Sequence, residues 1–152
     1  MAYWLMKSEP GAFSIDDLAE RPNQTEPWDG VRNYLARNLM RDQMKLGDLA
    51  FFYHSNCEVP GIVGIVEIVR EAYPDPTAFD PAHKHYDPKS RPNQPTWVMV
   101  DVRFVRKLRR TIALTELKGY PELDGLLLIR RGNRLSVMPV SKPHWEFILA
   151  LE

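Results

Sequence analysis

The chain has 152 residues, 44% of them apolar, enough material for one globular domain with its own core. Twenty basic side chains balance twenty acidic ones, which excludes a global field drawing the protein onto a polyanion or a membrane; any nucleic-acid affinity must come from local clusters. A lone cysteine, Cys57, excludes an internal disulfide, and the short apolar run from Ala2 to Met6 is too brief for a signal sequence or a membrane span, so a reducing, cytoplasmic setting is expected.

Tyr3-Trp4-Leu5-Met6 reads as a first strand, buried on both faces and stopped by Pro10 and Gly11. Ser14 with Asp17 forms a capping pattern, so a short helix follows to about Glu20. Arg21 to Pro27 is polar and proline-bounded, hence loop. Asp29 is the expected N-cap of a longer helix, with Val31, Leu35 and Leu39 as its buried stripe and Asn33, Arg37, Arg41 and Lys45 as a polar row.

Gly47-Asp48 is a turn, Leu49 to Tyr53 a continuous apolar strand and Ile62 to Val69 a β-branched one, joined as a hairpin whose loop, Ser55 to Pro60, carries Cys57. Glu71 to Pro95 holds six prolines and no periodicity; with Tyr73, Phe79 and Tyr86 as anchors it reads as an ordered lid over the mouth of the fold. Thr96 to Val105 alternates, with Val98, Val100, Val102 and Phe104 on one side, and Arg106 to Arg110 is a basic run at its end. A short helix near Leu114 to Leu117, an ambiguous apolar stretch from Leu123 to Ile129, a last strand from Leu135 to Val140 and a helix capped by Ser141 complete the chain. Pro139 places that strand at an edge or a bulge, and Trp145, Ile148 and Leu149 form the buried face of the last helix. Five or six strands with short flanking helices make an α+β fold built on a mixed β pseudo-barrel, one domain over residues 1–152.

The residues that carry chemistry cluster early. Glu9, beside Pro10 at a strand end, can accept from the exocyclic amine of cytosine or adenine, and Ser8 offers a hydroxyl to the same edge. The ordinary alternatives are a solvated strand-end charge for Glu9 and turn chemistry for Ser8. Trp28 lies in a polar loop ahead of a helix, where an indole suits base stacking worth roughly 1–3 kcal/mol; equally, it can staple onto that helix. Tyr34, Tyr53 and Tyr86 are candidates for a second wall, each also explicable as packing. Arg32, Asn33 and Arg37 sit in the first turns of the helix, where arginines can hold phosphates. Arg103 to Arg110 and Arg130, Arg131 and Arg134 are further basic clusters, which form a groove only if they share a face with Trp28. His83 and His85, with Asp80 and Asp87 near, make a weak metal pattern without a cysteine partner, and His54 with Cys57 lacks an orienting third group. No metal or cofactor is expected, and there is no phosphate loop or serine elbow.

Lys7-Ser8-Glu9-Pro10, Trp28 to Asn38, Gly47-Asp48 through Phe51-Phe52-Tyr53-His54-Ser55, and Arg134-Leu135-Ser136-Val137-Met138-Pro139-Val140 together resemble the EVE-domain family over nearly the whole chain. The resemblance implies a PUA-like pseudo-barrel and a non-enzymatic pocket for a modified nucleobase, such as methylated or hydroxymethylated cytosine. It implies a base pocket drawing on Ser8, Glu9, Trp28, Asp29, Asn33, Tyr34, Tyr53, His54 and Ser55; the residues themselves add Tyr86 as a second wall and Lys7, Arg32, Arg37 and Lys89 as phosphate contacts. The implied partner is DNA or RNA carrying the modification, bound by a monomer. Two alternatives stand beside it: a general RNA- or tRNA-binding accessory domain, and a small nucleotide-processing hydrolase using Glu9, His54 and Asp29, which requires those three to converge.

Overall fold

In the computed structural model, which describes all 152 residues, six strands form one mixed sheet: β1 (Tyr3–Ser8), β2 (Thr25–Pro27), β3 (Leu49–His54), β4 (Gly61–Pro74), β5 (Val98–Ala113) and β6 (Val137–Val140), in the order β2-β5-β4-β3-β1-β6. Four short helices flank it: α1 (Ile15–Ala19), α2 (Tyr34–Asp42), α3 (Leu114–Leu117) and α4 (Lys142–Leu149). None is long and apolar enough to cross a membrane.

The uninterrupted apolar runs of β1 and β3 follow from burial on both faces. Trp4, Met6, Ala50 and Phe52 point into one core, closed by α1 and α2; Leu5, Phe51 and Tyr53 point into a second, closed by α4 and the 114–129 segment. β1 runs parallel to β3 in register Tyr3↔Leu49 to Ser8↔His54, so both strands end at the same edge. β4 and β5 are longer than alternation predicts, and the basic run 106–110 lies inside β5 rather than after it. Four register shifts between them bend the pair, as bulges do, and curl the sheet.

Ser14 and Asp17 cap α1 reciprocally, at 3.0 and 2.9 Å. β6 is an edge strand carrying Pro139 at the surface, where a missing N–H is tolerated. Trp145 and Ile148 are buried on α4, and Leu149 partly so.

Two expectations need correction, and one open stretch is resolved. Arg21 to Pro27 is not all loop, because Thr25 to Pro27 pair with Asp101 to Arg103 as an edge strand. α2 is capped by Asn33, whose side chain accepts from the Ala36 N–H at 3.0 Å, not by Asp29. The chain before it stays extended because Trp28 N–H donates to the Val100 carbonyl and Gly30 N–H to Asp75. Starting the helix four residues later turns its buried face to Ala36, Leu39 and Met40 and leaves Leu35 56% exposed. The apolar 123–129 stretch becomes two single helical turns, 121–123 and 127–129.

Candidate functional site

A cavity of about 730 Å³ opens where β1 and β3 end. Lys7, Ser8 and Glu9 leave β1 along one side, Ser55 follows β3, Trp28 to Gly30 follow β2, and Arg134 to Ser136 lead into β6. Three main-chain segments are joined at this edge: Ser55 N–H donates to the Ser8 carbonyl at 3.0 Å, Lys7 N–H to the Ser136 carbonyl at 2.8 Å, and the Ser8 hydroxyl to the Phe13 carbonyl at 2.6 Å. Bound in this way, Ser8 keeps a lone pair for a ligand but not its proton. Glu9 is exposed and accepts from the Asn56 side-chain amide at 3.1 Å through Oε1.

Trp28 corrects the sequence reading. Its indole is only 7% exposed, packs edge-to-face on Phe52 with ring centres 5.4 Å apart and belongs to the main core, while still lining the cavity. It is a wall set in the core rather than a free stacking platform.

Of the expected residues, the cavity gathers Lys7, Ser8, Glu9, Trp28, Asp29 and Ser55. The others lie elsewhere. Tyr53 is on the opposite face of β3 and buried in the second core, because side chains alternate along a strand. Tyr34 is exposed and packs its ring 4.9 Å from Trp97, and Tyr86, 41% exposed, lies outside the lining. Asn33 is the helix cap. His54 Nε2 accepts the Ile15 N–H at 3.1 Å, and burial lowers its pKa, favouring the neutral ring that this bond needs. Glu9 and Asp29 line the cavity, but His54 does not and its Nε2 is occupied, so the three do not meet there as the hydrolase reading requires. Lys89 is exposed and away from the cavity.

Arg32 and Arg37 hold the protein's own loop rather than facing the cavity. Arg32 donates to Asp75, to the Thr77 hydroxyl and twice to the His85 carbonyl; Arg37 donates to the Thr96 carbonyl and to Asn38. The long connection after β4 is thus ordered as expected, and its His83, Lys84 and His85 form one side of the cavity. Its buried centre is Asp75, which accepts from Gly30 N–H, Arg32, Thr77 N–H and the Thr77 hydroxyl at 2.6 to 3.0 Å. Burial pushes the Asp75 carboxyl up, yet these hydrogen bonds outweigh it and its pKa is lowered.

Gly30, at φ +78°, is the contact between this loop and the β2 exit. A Cβ there would lie 2.4 Å from His85 Cε1, so only glycine lets the imidazole close against the backbone. Burial lowers the His85 pKa, and its Nδ1 is buried without a hydrogen-bond partner. One ligand atom each from Asp29, His83 and His85 lies within 4.8 Å of the others, three donors of the kind zinc uses with a fourth ligand. Asp80 and Asp87 do not join this set: Asp80 accepts from Ala82 N–H, and Asp87 from Trp97 Nε1 and Lys89 N–H. The pairing of Asp29 with the two histidines, and the arrival of Arg134 to Ser136 beside Glu9, have no local signal in the sequence.

The EVE domain model matches residues 2–151 of the chain. The chain is 49% identical over 168 residues to Thymocyte nuclear protein 1 of Homo sapiens, covering 99% of this chain and 74% of that protein, and 52% identical over 167 residues to its Mus musculus counterpart, covering 99% and 73%. Among solved structures, that of human THYN1 protein in complex with 5-methylcytosine containing DNA superposes with a TM-score of 0.94 at 49% identity, over 99% of this chain and 97% of that one. A Pseudomonas syringae protein superposes with the same TM-score at 51% identity, over 99% of both chains. The fold is accordingly the α+β, PUA-like one seen in the corresponding domain of human thymocyte nuclear protein 1, which matches at TM-score 0.93.

Proposed function

The chain belongs to the EVE-domain family, and from that premise we propose that it binds nucleic acid without catalysing a reaction, taking a modified nucleobase such as methylated or hydroxymethylated cytosine into the cavity at the ends of β1 and β3. The observation that carries the reading is convergence: Lys7, Ser8, Glu9, Trp28, Asp29 and Ser55, drawn from three separate segments, line one cavity. Its volume falls in the range of small-molecule pockets and admits a base with its sugar. The human relative crystallised with 5-methylcytosine containing DNA, half identical to this chain, supports DNA as the partner.

In this reading Glu9 and the Ser8 oxygen accept from the exocyclic amine of cytosine, and the exposed edge of Trp28 is one wall. Further rings come from Phe13, His83 and His85, which line the cavity where Tyr53 and Tyr86 do not. Burying an added methyl contributes about 0.8 kcal/mol, a factor of roughly four in affinity. A base that leaves Glu9 unpaired loses about 1–3 kcal/mol. Discrimination between bases therefore exceeds discrimination between modified and plain cytosine. The test is titration of matched DNA and RNA oligonucleotides bearing cytosine, 5-methylcytosine or 5-hydroxymethylcytosine. Several-fold tighter binding of a modified strand is expected. Equal affinities would end the base-reading account, and a preference for unmodified RNA would replace it with a general RNA-binding one.

A further inference from the structure

The sequence carries two basic clusters, and the structure treats them oppositely. In the first, Arg103, Arg106, Lys107 and Arg110 are each paired with a carboxylate, Glu67, Glu152, Asp16 and Glu116 in turn, and Arg109 is the one cation of the run without an ion pair. In the second, Arg130, Arg131 and Arg134 make no ion pair, and neither do Lys7 and Lys118. Neutral overall charge thus hides a local excess of unpaired cations.

Four of those cations line a second cavity, of about 510 Å³. Lys7, Lys118, Arg130 and Arg131 are among its ten lining residues, and no carboxylate is. Tyr53, Leu114, Leu128 and Ile129 give it an apolar floor. The two cavities adjoin, because Lys7 lines both; Arg134 lines the first and lies three residues beyond Arg131. Lys7 is half-buried, with its Nζ 5.7 Å from the Tyr53 ring centre, and burial lowers its pKa. An anion beside it offsets that burial.

The geometry points to the second cavity as a seat for the nucleic-acid backbone: phosphates flanking the nucleotide in the first cavity lie against Lys7, Lys118, Arg130 and Arg131. This rests on the nucleic-acid-binding reading above, and it replaces Arg32 and Arg37, which hold the loop, as the phosphate-binding groups. A concave, acid-free hollow adjoining a base-sized cavity suits a strand; a lipid surface, being flat, reaches neither. Cations here supply affinity without sequence information.

The decisive variant is the triple Lys118→Ala, Arg130→Ala, Arg131→Ala, whose three side chains are exposed and unpaired and so leave the fold intact. Binding of a 5-methylcytosine oligonucleotide and its plain counterpart is measured across a salt series, alongside binding of the free nucleoside 5-methyl-2′-deoxycytidine. We expect both oligonucleotides to weaken at least ten-fold at low salt by a common factor, and the slope of log K against log salt to lose about two to three units, at about 0.7–0.9 per phosphate contact. Nucleoside binding stays unchanged. Unchanged oligonucleotide affinity and slope overturn the backbone seat while leaving the base cavity standing. Loss of binding to anionic phospholipid vesicles, with oligonucleotides unaffected, likewise overturns it in favour of a membrane. Equal wild-type affinities for modified and plain strands with no nucleoside binding sink base reading instead, and the slope difference still decides the backbone seat.

Discussion

Replacing Asp75 by asparagine tests how the lid is held. The side chain is fully buried, and its two oxygens accept four hydrogen bonds, two at Oδ2 from Gly30 N–H and Arg32 and two at Oδ1 from Thr77. Asparagine keeps the shape but turns one oxygen into an NH₂ group, so one backbone N–H must face a donor, at about 1–3 kcal/mol. The charge-assisted bond to the partly buried Arg32 is weakened as well, by roughly 1.5–3 kcal/mol. A total of about 3–5 kcal/mol agrees with breaking a buried ion pair from one side. For a chain of this length that lowers Tm by roughly 10 °C. The folded pKa of Asp75 is depressed, so its stabilisation is present above the ordinary carboxyl value of 3.8 and is lost as pH falls through the lower folded value. Denaturant unfolding of both proteins from pH 7 to below 3.8 is the assay. The gap should be full at neutral pH and shrink on acidification. A neutral-pH difference under about 1 kcal/mol, or a gap independent of pH, would refute the account.

Gly30→Ala strains a left-handed backbone and drives a Cβ into His85, whereas Gly47→Ala, at φ +86° with nothing within 4 Å, meets only the strain. Denaturation midpoints should place Gly30→Ala below Gly47→Ala by at least about 1 kcal/mol, since only the former adds a steric term to a backbone cost of about 1–3 kcal/mol. Trp28→Ala should cost about 3–5 kcal/mol of stability, as truncation of a core aromatic does, so calorimetry must precede any binding comparison, and Trp28→Phe is the better probe of recognition. Arg110→Ala, which removes a cation already neutralised by Glu116, should leave oligonucleotide affinity and its salt slope unchanged when both are measured as for the triple variant.

What sequence reasoning could read was local. The double-sided burial of β1 and β3, the capping box at Ser14, the edge position of Pro139 and the cap at Ser141 are properties of short windows, set by side-chain period and by hydrogen bonds within a few residues. That Lys7 to Glu9 and Trp28 to Asp29 belong together in one cavity was legible for the same reason, since they are polar groups and an aromatic at element ends. Where a distant partner decides, the windows fail. Asp29 looks like a cap, but Asp75, forty-five residues from Gly30, takes the Gly30 N–H and moves the helix start to Asn33. Tyr53 has the right chemistry on the wrong face, which only the pairing of β3 with its neighbours settles. Above all, twenty positive and twenty negative charges say nothing about which are paired. Pairing is a matter of distances between residues tens of positions apart, and folding alone sets those distances, neutralising Arg103, Arg106 and Arg110 while leaving Arg130, Arg131 and Lys7 around an acid-free hollow.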